Sequence, residues 1–237
     1  MEDIDVVYIC RSGPNEELRY SIRSVEKNLS YRSIWVVGQK PEWYQGNFVQ
    51  VEDSRSKYSN ARSNLKALVD DPNISDNFVL MNDDFFIMRR IEKISYFYSK
   101  SLLERAEEND MLTTTGSYTK MLYRTHDQLK KMGVETPLNY ELHIPMIMNK
   151  VALKKLLKHD DCLWRSMYGN IFAVGGIEIP EDVKVYPPGP RTPKSYQWRT
   201  KKFPYLSTQD ASFAEVHRER LSKLFKHPAS IEDEDED

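Results

Sequence analysis

The sequence predicts an α/β fold built on a mostly parallel sheet with covering helices. Two observations carry this. Short β-rich apolar runs alternate with helical periodicities through the N-terminal half, the pattern of strands joined by crossover helices. The chain has 237 residues, 40% of them hydrophobic, which suffices for one sizeable core.

Residues 4–9 (I-D-V-V-Y-I) read as a buried first strand. Residues 16–28 read as a helix, because Leu18, Ile22, Val25 and Leu29 fall on one face. Asn15 is placed to cap it, and Glu16 and Glu17 suit the positive end of its dipole. Residues 33–37 and 47–51 read as strands, and residues 58–69 as a helix with Ala61, Leu65, Leu68 and Val69 inward. Residues 77–81 (N-F-V-L-M) form a fourth strand, and extended structure resumes over 85–88.

The second half is less regular and becomes an irregular C-terminal half of the same domain. Residues 101–108, 125–132 and 151–159 look helical, 186–204 is a Pro- and Gly-rich loop, and 210–225 is a final helix. No repeat and no domain boundary is evident, so residues 1–226 read as one domain.

Two cysteines, Cys10 and Cys162, make neither a metal pattern nor a disulfide framework. A reducing, cytoplasmic setting is expected. The first residues are acidic rather than basic, so no signal peptide is expected. No apolar run approaches the roughly 20 residues that span a bilayer. The net charge is −2, and six acids are the consecutive residues 232–237, so the preceding 231 residues carry a net +4. Residues 227–237 therefore read as an acidic, disordered, solvated tail, or as a segment competing with a polyanion for a basic groove.

The most informative segment is Leu80-Met81-Asn82-Asp83-Asp84-Phe85. An apolar strand ends in adjacent carboxylates, and apolar structure resumes at once. Ligands of open α/β sheets gather at the carboxyl ends of strands. A divalent cation, Mn²⁺ or Mg²⁺, relieves both the repulsion and the desolvation of Asp83 and Asp84. It also grips a diphosphate and neutralises a leaving nucleotide. Asn-Asp-Asp is also ordinary turn chemistry, so both readings stand on these residues alone.

Other candidates carry a second reading too. Arg19 and Arg23 share a helix face and suit a diphosphate, or are surface charges. Asn60 and Arg62 open a helix, where free N–H groups meet an anion, or belong to ordinary capping. Lys184, Arg191, Lys194, Arg199, Lys201 and Lys202 occupy a stretch without an acid, interleaved with Tyr186, Tyr196 and Trp198. Cations with aromatics suit a nucleic-acid backbone and an unstacked base, a flap over a nucleotide-sugar, or a solvated loop.

Several strings resemble Stealth proteins, in the same order: Asp5-Val6-Val7-Tyr8; Glu17-Leu18-Arg19-Tyr20-Ser21-Ile22-Arg23-Ser24-Val25-Glu26-Lys27-Asn28; Ile34-Trp35-Val36-Val37; Pro41-Glu42-Trp43; and Asn82-Asp83-Asp84. That family includes capsular polysaccharide phosphotransferases and the lysosomal N-acetylglucosamine phosphotransferase. The resemblance implies a GT-A-like core, a nucleotide-diphosphate sugar donor and a divalent metal at Asp83 and Asp84. It places Asp5, Arg19, Arg23 and Asn82 on the donor side, where Arg11, Asn60 and Arg62 are further candidates by residue type and position. Leu142-His143-Ile144-Pro145-Met146 and Ser207-Thr208-Gln209-Asp210-Ala211-Ser212-Phe213 resemble two later motifs, so His143 and Asp210 are expected to be catalytic, with Arg165 between them. By their residue types, His143 also suits a core position and Asp210 a helix cap.

The long insert usual before the E-L-R-Y string is nearly absent, and Ile9-Cys10-Arg11-Ser12-Gly13 replaces the family's usual string. This compact form is similar to glycosyltransferase-like proteins of bacteriophages, which would work in a host cytoplasm. The function expected is therefore a metal-dependent transferase moving a glycosyl or sugar-phosphate unit to a hydroxyl. The acceptor is a hydroxymethylated base in phage DNA, held by Trp198, Lys201 and Lys202, or a glycan as in the capsule enzymes. The other reading is a non-catalytic module that binds nucleotide-sugar or nucleic acid.

Overall fold

The protein is described by a computed structural model over residues 4–13, 15–54, 56–112, 116–180, 182–187 and 203–233. In chain order the strands are β1 (Asp5–Cys10), β2 (Ile34–Gly38), β3 (Asn47–Gln50), β4 (Asn77–Asn82), β5 (Phe85–Ile87), β6 (Phe97–Ser101), β7 (Leu138–Asn139), β8 (Met146–Asn149), β9 (Ile177–Glu178), β10 (Lys184–Val185) and β11 (Tyr205–Thr208). The helices are α1 (Glu16–Asn28), α2 (Lys57–Asp70), α3 (Leu102–Leu112), α4 (Ser117–Lys131), α5 (Lys150–Leu156), α6 (Trp164–Ile171), α7 (Asp210–Ser212) and α8 (Arg218–Leu224), the last two joined by a π-helical turn, Phe213–His217. The chain forms two compact units: Met1–Ile94 with His143–Lys150 and Val183–Asp237, and Ser95–Leu142 with Val151–Asp182.

The first unit carries a sheet of order β3-β2-β1-β4-β8. β1 runs parallel to β2 and β4, β2 runs parallel to β3, and β8 closes the sheet antiparallel to β4. Phe78, Val79, Leu80 and Met81 of β4 are all fully buried, as are Val6, Val7 and Tyr8 of β1. Burial on both faces explains why these strands read as continuous apolar runs. The β1–β4 register sets Ile9 beside Asn82, so the two strands end together. A second sheet, β10-β11-β5, follows from the chain reversing directly after the acid pair.

The string E-L-R-Y-S-I-R-S-V-E-K-N has a packing explanation. Leu18, Ile22 and Val25 enter the core. The hydroxyl of Ser21 donates to the Phe85 carbonyl. Ser24 Oγ accepts from the Ile87 amide at 2.9 Å, and Asn28 Nδ2 donates to the Ile87 carbonyl at 2.6 Å. One face of α1 thus fills the core while its small polar residues clamp β5. Phe86, Leu206, Phe213, Leu221 and Phe225 then pack as a cluster.

The second unit holds a small sheet, β7-β6-β9, with α3 and α4 packed on each other. Asn139 Nδ2 donates to Ser99 Oγ at 3.0 Å, joining β7 to β6. α6 lies close to Tyr140: a Cβ on Gly169 would stand 2.5 Å from that ring.

Several expectations are corrected. Asn15 holds the N-cap position of α1, its carbonyl accepting from the Leu18 amide at 3.1 Å, but its side chain makes no cap bond: it takes a left-handed conformation (φ 46°) and its Nδ2 donates to the Arg11 carbonyl at 2.8 Å. α2 is capped by Ser56, which accepts from the Ser59 amide at 3.2 Å, not by Asn60. α4 begins at Ser117, earlier than the sequence indicated, because Thr119, Met121 and Leu122 extend its buried face. The final helix is interrupted by the π-helical turn. The acidic segment is not solvated from residue 227: Glu232 is 7% exposed and bonds Arg23. Most of the 186–204 loop and residues 234–237 lie outside the described residues.

Candidate functional site

The site grows from the carboxyl end of β4. Asp84 follows the strand directly and is 8% exposed. Its Oδ2 accepts from Lys184 Nζ at 2.8 Å and from Ser207 Oγ at 3.0 Å. Its carbonyl accepts from the Thr208 amide at 3.2 Å. Antiparallel pairing sets Phe85 beside Ser207, and parallel pairing sets Lys184 beside Ser207. The second sheet therefore wraps Asp84 with one ammonium and one hydroxyl.

Asp83 has a different environment. Among the described residues its carboxylate makes no side-chain hydrogen bond, and it is half-buried. Burial pushes its carboxyl well above the usual range, and the charges of Asp84 and Glu17 add to this. Glu17, at the start of α1, accepts from Thr208 Oγ1 at 2.6 Å. Burial raises its pKa to about 7 against the help of Thr208, with further repulsion from Asp84 and Asp210. Asp84 thus bonds a half-buried ammonium whose charge Glu17 and Asp83 also feel. Burial alone would lower the Lys184 pKa, but Asp84 reverses this and holds it above its ordinary value.

Around this centre lie loops from the ends of β1 and β3. The Ser12 amide donates to Asp53 Oδ2 at 3.1 Å, and Asn60 Nδ2 donates to Asp53 Oδ1 at 3.1 Å. Asn60 also accepts from the Ser54 amide. Asn60 therefore shapes the loop, with Arg62 half-buried two residues further along α2. Gly38 ends β2 with φ 125°, and a Cβ there would stand 2.0 Å from the Cys10 carbonyl. Asn64 Nδ2 bonds that carbonyl at 3.0 Å. Asn82 is the last residue of β4. Arg11 faces Asp210 at 3.5 Å, with both side chains largely exposed. Asp210 is the first residue of α7, whose cap position is Gln209.

His143 lies just before β8 with φ 54°, a left-handed conformation that is costly for a residue with a Cβ. Its ring meets Phe85 edge-on at 6.3 Å, which brings it against the residue after the acid pair.

Other expected residues have partners of their own. Asp5 is corrected outright. It is fully buried at the start of β1, the opposite strand end from Asp83. Its carboxylate accepts from Arg32 at 2.6 and 2.8 Å and from the Ser75 amide at 2.7 Å, so it is a structural anchor. Arg23 forms a two-pronged ion pair with Glu232 at 2.5 and 2.6 Å and donates to the Phe225 carbonyl. Arg19 lies 3.6 Å from Glu232 and 4.8 Å from the Trp43 ring centre. Both are committed to the C-terminal segment, and Arg23 stands about 9 Å along the helix axis from Glu17. Arg165 belongs to the second unit, is 5% exposed and lies beside Glu141. Trp198, Lys201 and Lys202 lie outside the described residues.

Glu17, Ser207 and Thr208 stand within motifs that assign them no role, and Lys184 reads in the sequence as a loop cation. Their convergence depends on the pairing of β5, β10 and β11.

The residues at the strand end suit a divalent cation in one specific way. Asp83 offers a carboxylate without a hydrogen-bond partner among the described residues, next to two like charges. Among the described residues, however, no three metal-ligating side chains converge on one point. Such an ion would be held by Asp83 and Asp84 and completed by water and donor phosphates, as Mg²⁺ commonly is.

No protein-family model matches the chain. It is 28% identical over 160 residues to a capsular polysaccharide phosphotransferase of Actinobacillus suis, covering 58% of this chain and 43% of that protein. It is 25% identical over 168 residues to the capsular polysaccharide phosphotransferase fcs1 of Haemophilus influenzae, covering 61% and 44%. The chain thus spans less than half the length of these curated relatives. Among solved structures, the galactosyltransferase LgtC, in complex with donor and acceptor sugar analogs, superposes with a TM-score of 0.51 at 12% identity and covers 98% of both chains. The fold is that of the GT-A glycosyltransferases.

Proposed function

We propose that this chain is a metal-dependent nucleotide-sugar transferase that passes a sugar phosphate to an acceptor hydroxyl. The observation that carries this is the cluster of Asp83, Asp84 and Glu17 at the carboxyl end of β4, in a GT-A-like sheet. The sequence likeness to capsular polysaccharide phosphotransferases supports the sugar-phosphate form of the reaction.

A divalent cation bound there would draw charge from the donor diphosphate. Asp83 and Asp84 would hold it. Glu17, whose pKa of about 7 makes both protonation states accessible near neutrality, is suited to take the acceptor proton. His143 beside Phe85 and Asp210 on Arg11 are the remaining candidates for that proton. In sugar-phosphate transfer the acceptor oxygen bonds to the phosphorus next to the sugar, the bond to the bridging oxygen breaks, and a nucleoside monophosphate leaves. In glycosyl transfer the oxygen bonds to the anomeric carbon and a nucleoside diphosphate leaves. Identifying the released nucleotide by chromatography decides between them: monophosphate supports this reading, and diphosphate replaces it with glycosyl transfer.

A glycan hydroxyl is the preferred acceptor because of the same likeness. The alternative polyanionic acceptor, phage-type modified DNA, rests on the basic aromatic stretch 184–202. Its first cation, Lys184, is turned onto Asp84.

A further inference from the structure

Asp84, one of two residues proposed to hold a divalent cation, already has a cation on it. Lys184 Nζ lies 2.8 Å from Oδ2, and the lysine side chain is 19% and the carboxylate 11% exposed. Ser207 Oγ donates to the same oxygen at 3.0 Å. This is a built pairing. β10 is held to β11 by the register Lys184–Ser207 and Val185–Thr208, and β11 is held to β5. The Ser212 hydroxyl, donating to the Val185 carbonyl at 2.7 Å, fixes the next residue of β10. The ammonium is therefore delivered to Asp84 by the backbone of the second sheet. Asp83, next in sequence, has no such partner among the described residues.

We infer that Lys184 is an internal counter-cation that competes with the divalent ion for Asp84 and sets how tightly that ion binds. This rests on the metal reading proposed above. Two cations on one small carboxylate repel each other, and the repulsion is strong where water is largely excluded. Lys184 thus keeps the cluster charge-compensated without metal and weakens metal binding to the bare protein. A donor diphosphate brings further negative charge. With it present, the ammonium gains a second anionic partner and the metal is no longer disfavoured. Metal and donor are then taken up together.

The test is calorimetric titration of the full chain with Mn²⁺ alone, for the parent, Lys184→Met and Lys184→Arg. Lys184→Met is expected to bind Mn²⁺ about tenfold more tightly or better, and Lys184→Arg, which keeps the charge, to stay near the parent. Thermal melting provides a second readout: Mn²⁺ should raise the melting temperature of Lys184→Met more than that of the parent, since tighter binding to the folded state stabilises it further. If the parent binds Mn²⁺ and Lys184→Met binds no better, the competition is refuted and the metal reading stands. An equal gain in Lys184→Arg also refutes it, because altered packing would then be the cause. If no form binds Mn²⁺, both readings fail.

Discussion

Lys184 and Asp84, 100 residues apart in sequence, meet at 2.8 Å across the end of β4. One of the two carboxylates that look like metal ligands in the sequence is thus also half of an ion pair. Asp83 and Asp84 are therefore not equivalent. Removing Asp84 breaks its bonded ion pair with the Lys184 ammonium, which is costly where water is largely excluded. Removing the charge of Asp83 strands nothing.

Asp83→Asn should accordingly raise the melting temperature at alkaline pH while removing most transferase activity. The ionised Asp83 is disfavoured in the fold by burial and by Asp84, so the neutral amide relieves a repulsion. Thermal melting beside an activity assay checks this. A clear drop in stability would mean that Asp83 has a structural partner.

Glu17 predicts a pH dependence. Its carboxyl rises from 4.5 to about 7 on folding, so between those values the folded chain holds a proton that the unfolded chain has lost. Stability contributed by this group is then highest below the unfolded value, falls as pH rises toward 7, and levels off above it. Glu17→Gln should flatten that part of the stability–pH curve, read by urea denaturation at a series of pH values. An unchanged curve would show that Glu17 titrates normally.

Glu232→Gln should destabilise the chain by about 2–4 kcal/mol, because it breaks an almost fully buried, two-pronged ion pair with Arg23. The two side chains are 1% and 10% exposed. Chemical denaturation measures the effect. Arg23→Lys should cost less but still measurably, since it loses the two-pronged geometry. Donor affinity per folded molecule should not change in either variant. A selective weakening of donor binding would return Arg23 to the donor site.

Much of the first unit is legible in the sequence because its signals are local. Phe78 to Met81 announce a doubly buried strand, and Leu18, Ile22 and Val25 announce a helix face. Asp83 and Asp84 stand out because nothing apolar explains them. The rest depends on pairing between distant residues. Glu17 looks like an ordinary helix-start acid until Thr208 and Asp84 are placed beside it. Glu232 looks like the first acid of a solvated tail until Arg23 reaches it from 209 residues away. α6 escapes a sequence reading because buried Arg165, Ser166 and Gly169 interrupt its apolar periodicity.

If the acceptor is polyanionic, its binding should weaken steeply with salt. Replacing Lys201 or Lys202 with alanine should then flatten the log–log slope by roughly one unit for each phosphate that the lysine neutralises. Replacing Trp198 should cost about 1–3 kcal/mol if it stacks on a base. A neutral glycan acceptor, the preferred reading, gives almost no salt slope. Binding assays across a salt series separate the two.

The most direct measurement is nucleotide release from a panel of nucleotide-sugars with Mn²⁺, for the parent chain and for Asp83→Asn. The expected result is release by the parent that stops in excess chelator, returns with added Mn²⁺, and is absent in Asp83→Asn although that variant remains folded. Release that continues undiminished in chelator and in Asp83→Asn would contradict a metal-dependent transferase centred on the end of β4.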